Sequence, residues 1–163
     1  MILIEPTIQD RFGRALRQRA LSAFLREASA AVGLRGEVSV LLTGDRRIRK
    51  LNREFRGKDK ATDVLSFPAA APMNGHGGIA GDLAVSVETA ARQAEEHGHP
   101  LATELQILVL HGLLHLGGYD HETDKGQMAR KEAALRRRFG LRAGLIERAG
   151  NASKRALRRR SEL

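Results

Sequence analysis

Apolar residues in this chain recur with two periods, and their alternation outlines the elements. Ile2 to Ile4 reads as a short strand. From about Asp10 the positions Leu16, Ala20, Phe24, Ala28 and Val32 repeat at helical spacing until Gly33, predicting one long amphipathic helix whose other face carries Arg11, Arg14, Arg17 and Arg19 toward solvent. Val38 to Thr43 is β-branched and apolar, a buried strand. Asp45 is placed to cap a helix running to about Phe55, with Ile48, Leu51 and Phe55 inward. The cationic run Arg56-Gly57-Lys58-Asp59-Lys60 follows as a loop, then Thr62 to Phe67 as a strand ended by Pro68. Ala69 to Ile79, with Pro72, Asn74 and three Gly, reads as a mobile surface loop with His76 in solvent. Gly81 to Val85 gives a fourth strand. Ser86 caps a helix with Val87, Ala90, Ala91 and Ala94 inward, stopped at Gly98. Pro100 opens the next helix, which is apolar to Leu110 apart from Thr103, Glu104 and Gln106, as expected of a helix buried around most of its circumference. Met128, Ala129, Leu135 and Phe139 outline a last helix ending at Gly140.

Four short strands and about five helices, with a hairpin-like loop between the third and fourth strands, predict an α+β fold. It would be a single layered domain with a small mixed sheet and the apolar helix at its centre. A chain of 163 residues suits one domain, expected over residues 1–146, with 147–163 a basic, fraying tail.

Charge narrows the partners. Lys and Arg number 28 against 19 Asp and Glu, a net charge of +9, which favours polyanions and nucleic acid first. Lys154, Arg155, Arg158, Arg159 and Arg160 supply part of the excess, and the remainder is basic without them. Cysteine is absent, so any metal must be held by His and carboxylates. The start has no basic flank, and no stretch approaches the roughly 20 apolar residues that span a bilayer. A cytoplasmic protein without membrane contact is expected.

The chemistry concentrates in His111-Gly112-Leu113-Leu114-His115-Leu116-Gly117-Gly118-Tyr119-Asp120-His121, which holds three of the six histidines. On a helix, residues four apart share a face and lie roughly 6 Å apart, so His111 and His115 can address one ion. Gly117 and Gly118 turn the chain back, and His121 can complete the set. Neutral imidazoles suit zinc, one ion per chain, and three protein ligands leave a fourth position for water. The same spacing is that of the zinc proteases called metzincins, whose general-base Glu follows the first His. Gly112 stands there, so a metal site is favoured and proteolysis disfavoured. Asp82 and Asp120 are candidates for orienting a ligand His through its distal nitrogen. Asp82 could equally cap local backbone, and Asp120 could instead close the site as a fourth ligand.

With Leu51-Asn52-Arg53-Glu54-Phe55-Arg56-Gly57-Lys58-Asp59, Thr62-Asp63-Val64-Leu65-Ser66-Phe67-Pro68 and Gly81-Asp82 upstream in order, the histidine run resembles the bacterial YbeY family over about residues 38 to 140. The resemblance implies a zinc-dependent, single-strand-specific endoribonuclease of ribosomal RNA maturation. Such enzymes trim the small-subunit RNA 3′ end and, with an exonuclease, clear defective ribosomes. It implies His111, His115 and His121 as metal ligands and Arg56, in the loop before the third strand, as the essential arginine. Ala61 stands where Pro commonly precedes the Thr. Arg56 and His111 are then the candidate catalytic residues, and Arg53, Arg56, Lys58 and Lys60 candidate RNA contacts. Ribosomal RNA, small-subunit proteins and assembly factors are the implied partners. A guanidinium can clamp two phosphate oxygens, and zinc lowers the pKa of a bound water from about 15.7 towards roughly 7. Water and the 2′-hydroxyl are both open as nucleophile. Two other readings stand beside this one: a metallopeptidase related to metzincins, and a non-catalytic ribosome-binding factor stabilised by structural zinc.

Overall fold

The computed structural model describes residues 1–69, 78–141, 144–150 and 158. The expected mobile loop, with His76, falls mainly on residues 70–77, and the expected basic tail mainly on 151–163. Apart from residue 158, both stretches lie outside the described residues. The chain forms two compact units, Met1–Gly118 and Tyr119–Leu163.

The first unit is built on a four-stranded sheet of β1 (Ile2–Ile4), β2 (Glu37–Thr43), β3 (Val64–Pro68) and β4 (Ile79–Ser86) in the order β1-β2-β4-β3. β1 and β4 flank β2 in parallel, and β3 runs antiparallel to β4. The fold is therefore α+β with a mixed sheet, as the alternating patterns imply. Central positions Val40, Leu42, Leu83 and Val85 are fully or almost fully buried.

The buried helix α5 (Leu101–Leu116) crosses one face, where Leu83 packs against the backbone at Gly112. The other face carries α3 (Asp45–Arg56), whose Ile48 clusters with Leu65 and Ala84, joined by Leu51 and Phe67. Buried Glu104 of α5 is paired with buried His99 at 2.6 Å, which accommodates a carboxylate in an otherwise apolar helix. The second unit contains α6 (Gln127–Arg138) and a helical turn over 145–150. The two are tied by Glu132, which accepts from the Ile146 amide at 2.9 Å, and by Arg136, which reaches Glu147 at 2.6 Å.

The expected first helix is three pieces. α1 (Pro6–Phe12) gives way to a 3-10 turn (Gly13–Leu16), and α2 (Gln18–Val32) starts after Arg17, which is left-handed at φ 46°. The buried positions are Leu16, Leu21, Phe24, Leu25 and Ala28, while Ala20 is exposed. From Leu16 to Leu21 is five residues, a step no continuous helix keeps on one face. The left-handed residue resets the phase. The expected cationic face is thereby divided among three elements.

Two further expectations are corrected. Phe55 is 66% exposed, and Asn52, 3% exposed, takes the inward place in its turn because its amide donates to the Lys60 carbonyl at 2.9 Å. Asp45 does not cap its own helix, whose N-cap is Gly44. Its carboxylate instead accepts from Ser86, Thr89 and Arg92 at the start of α4 (Val87–His97). Glu88 of α4 returns the service, accepting from the Asp45 amide at 2.9 Å and from Arg11 at 2.8 Å. The two helix N-termini exchange carboxylates across the sequence. Ser86 does cap α4, accepting from the Thr89 amide.

This exchange sets an acid limit. Hydrogen bonds from Arg11 and the Asp45 amide hold Glu88 below its ordinary 4.5. For Asp45, partial burial works upward, but bonds from Ser86, Thr89 and Arg92 together prevail and lower it from 3.8. A carboxyl with a depressed folded pKa contributes stability above its unfolded value and loses it as pH falls through the folded one. Unfolding by urea should therefore become easier below about pH 4.5, by an amount on the order of two helix caps, about 1–2 kcal/mol. Glu88→Gln should flatten part of that dependence. An unchanged slope in the variant would show that other carboxylates set it.

Candidate metal centre and its approach

α5 ends in the histidine pair because its apolar run continues through Leu113 and Leu114 until Gly118, at φ 91°, turns the chain away. Gly117 keeps a negative φ of −76°, so one glycine of the expected pair makes the turn. His111 and His115 sit in the last two turns, where unsatisfied carbonyls give the helix a partial negative charge that favours a cation. His111 is 6% exposed and His115 half-buried. Their rings meet edge to face, with centroids 4.8 Å apart and planes at 79°, and their Nε2 atoms stand 3.2 Å apart.

That separation tests the fit. Two nitrogens at about 2.0–2.1 Å from one tetrahedral ion are about 3.3 Å from each other, the spacing seen here. One ligand atom from each of His111, His115 and exposed His121 lies within 4.8 Å of the others. Three imidazoles and no thiolate match a zinc donor set. His121 is carried by a turn in which the Asp120 carboxylate accepts from the Glu122 amide at 3.1 Å and its carbonyl receives the amides of Thr123 and Asp124. Asp120 thus shapes the turn bearing His121. Asp124, unmarked in the sequence reading, accepts from the Met128 and Gly126 amides, which with His121 and Arg130 nearby hold its carboxyl below the ordinary range.

Asp82 is placed elsewhere. It is exposed on β4, opposite Ser39 and Phe67 in the ladder. Its neighbour Leu83 points at α5, so by strand alternation Asp82 points to the α3 side of the sheet, away from the histidine helix.

Gly112 has a steric reason. A Cβ at this position would lie 2.8 Å from Leu83 Cδ2 and 3.3 Å from the Ser66 hydroxyl. The residue after the first His faces the sheet at van der Waals limit. A side chain there would require Leu83 to shift.

Arg56 is the last residue of α3 and not part of the loop expected to carry it. Its Nη2 donates to the Ser66 carbonyl at 3.0 Å, and the Ser66 hydroxyl donates to the Gly112 carbonyl at 3.1 Å. Two hydrogen bonds through edge strand β3 thus reference the guanidinium to the backbone between His111 and His115. Ser66 lies within the recognisable run, yet a serine in a strand gives no hint of this role. Beyond Arg56, Gly57 is left-handed at φ 68° and the cationic loop folds back. Asp59 receives Arg49 at 2.9 Å, lies 3.9 Å from Arg53, and is held below the ordinary carboxyl range chiefly by the Arg49 bond. Arg53, Arg56, Lys58 and Lys60 are all exposed around this loop. A separate cleft of about 1150 Å³ between α1 and α3 is lined by Arg11, Arg46, Arg47, Arg49, Lys50 and Arg53 together with three glutamates. It extends the cationic surface along α3. Among the described residues no helix is long and apolar enough to cross a membrane.

Comparison with known proteins places this arrangement. The family model described as Endoribonuclease YbeY matches residues 5–140. A protein of that name from Koribacter versatilis is 50% identical over 143 residues, 88% of this chain and 91% of its own length. Another from Solibacter usitatus is 49% identical over 133 residues, covering 82% and 86%. Among solved structures, a solution structure from Thermotoga maritima is similar with a TM-score of 0.53 and 31% identity, covering 82% of this chain and 85% of that one. With the match running through the histidine triad, Arg56 and Ser66 alike, the chain belongs to the endoribonuclease YbeY family.

Proposed function

We propose that this protein is a zinc-dependent endoribonuclease that cuts single-stranded RNA, acting in maturation of the small-subunit ribosomal RNA 3′ end and in ribosome quality control. The observation that carries the reading is the convergence of His111 and His115 at 3.2 Å, with Arg56 referenced through Ser66 to the backbone between them. His111, His115 and His121 would hold the metal. When bound, zinc supplies a Lewis acid that makes an attacking oxygen nucleophilic near neutral pH. Arg56 spends one donor on Ser66 and presents the rest of its planar fork to a phosphate, where negative charge accumulates as the bond breaks. Arg53, Lys58 and Lys60 would steer the backbone, and Asp120 would keep His121 in place. The basic surface, +9 overall, suits ribosomal RNA and particles built on it. A peptidase reading lacks its base, since Gly112 stands where that carboxylate would be and a side chain there would press on Leu83.

The test is metal content by elemental analysis followed by cleavage of a single-stranded ribosomal RNA fragment with and without chelator. About one zinc per chain and chelator-sensitive cleavage support the reading, while full cleavage in excess chelator contradicts it. Phosphate contacts also fix a salt dependence. If Arg53, Arg56, Lys58 and Lys60 each neutralise one phosphate of a single strand, log affinity against log salt should have a slope of about −3, and Lys58→Ala should reduce it by about 0.7. A flat salt profile would remove the phosphate-contact account.

A further inference from the structure

From Phe55 we infer a base-stacking site, adjoining the Arg56 phosphate clamp, for an unpaired nucleobase of the RNA strand. The inference rests on the nuclease reading and adds the feature that would select single strands. Phe55 is 66% exposed although it sits one residue from Arg56 in the last turn of α3. Its ring is not loose. It meets Phe67 edge to face, with centroids 5.4 Å apart and planes at 68°, and Phe67 is packed on the cluster of Ile48, Leu65 and Ala84. A half-buried aromatic thus orients an exposed one.

A single exposed Phe on a protein surface needs no explanation by itself. Here the surroundings supply one. Arg53, Arg56, Lys58 and Lys60 lie within five residues of it, all exposed. The loop carrying two of them is fixed by Asn52 on the Lys60 carbonyl and by Arg49 on Asp59, while Arg56 is fixed on Ser66. An apolar ring next in sequence to cations fixed in this way complements a nucleotide, whose phosphate and base present charge and π-face side by side. Cations alone do not distinguish paired from unpaired RNA, because both display phosphates. A stacking ring does, because only an unpaired base offers its face.

The chain contains no Trp, so Phe55→Trp introduces a lone indole at the site. Its emission is followed on rapid mixing with zinc-loaded protein, before cleavage, using three ligands of equal length: oligoadenylate, the corresponding abasic ribose–phosphate strand, and an RNA duplex. Quenching by oligoadenylate alone is expected. In parallel, Phe55→Ala should weaken oligoadenylate binding about tenfold, with abasic-strand affinity unchanged, and Phe55→Tyr should retain most of it. The difference should persist as salt is raised. Quenching absent with oligoadenylate, or an equal loss of affinity for the abasic strand in Phe55→Ala, overturns the stacking site while leaving the nuclease reading intact. Wild-type protein that binds neither single strand overturns both.

Discussion

Replacing His115 by alanine is expected to leave a folded protein with far less than one zinc per chain and no chelator-sensitive RNA cleavage. His115 is the cleanest of the three to remove. It is half-buried, whereas His111 is 6% exposed and its loss would also open the core. Structural zinc sites bind with about 10–16 kcal/mol from four ligands, so one ligand is worth about 100- to 1000-fold in affinity. Elemental analysis after dialysis reads this directly. A His115→Ala protein with undiminished zinc would mean the ion sits elsewhere. Circular dichroism matching wild type would show that the helix itself survives.

Arg56→Ala is expected to slow cleavage by about 100- to 1000-fold with zinc content unchanged, the usual effect of deleting a preorganised donor to developing charge. The expectation follows from the proposed division of its donors: one is held by the Ser66 carbonyl, and the others would go to the substrate phosphate. Arg56→Lys should keep much of the RNA affinity, because a cation still attracts the backbone. It should recover little of the rate, because an ammonium cannot span Ser66 and two phosphate oxygens in one plane. Wild-type turnover in Arg56→Ala beside an inactive His115→Ala would remove the arginine from the chemistry. Full activity in both variants would identify the nuclease as a contaminant and favour a zinc-stabilised binding factor.

How legible all this was depended on the range of the interaction that decided each point. The strands, the Ser86 cap and the helix stop at Gly98 follow from neighbours a few residues apart, and His111 and His115 announce themselves by spacing along one helix. The first helix was misread because its apolar residues suggested one period. The actual core positions skip from Leu16 to Leu21, and a left-handed Arg17 is not a residue that composition marks. Asp45 looked like a cap because acidic residues before helices usually are. Which amide received which carboxylate was decided by Glu88, 43 positions away. Phe55 pointed inward by helical phase, but the place was taken by Asn52, whose partner Lys60 lies across a turn. At the site, the clustering of the three histidines was legible and the placement of Asp82 was not. Asp82 lies one strand position from Leu83, which packs on α5, yet faces the other side of the sheet, a distinction that needs the register.

The contact of Gly112 with Leu83 bears on the kinship between nuclease and protease versions of a three-histidine helix. Swapping one activity for the other is not a matter of supplying a carboxylate. A side chain at Gly112 would first require Leu83 to shift or be cut back and the Ser66 hydroxyl, which ties β3 to α5, to give way. The Arg56 bond is to the Ser66 main-chain carbonyl and survives such a change, so what interconversion would disturb first is the tie between β3 and α5. The barrier between the two chemistries is one of volume, built into the core.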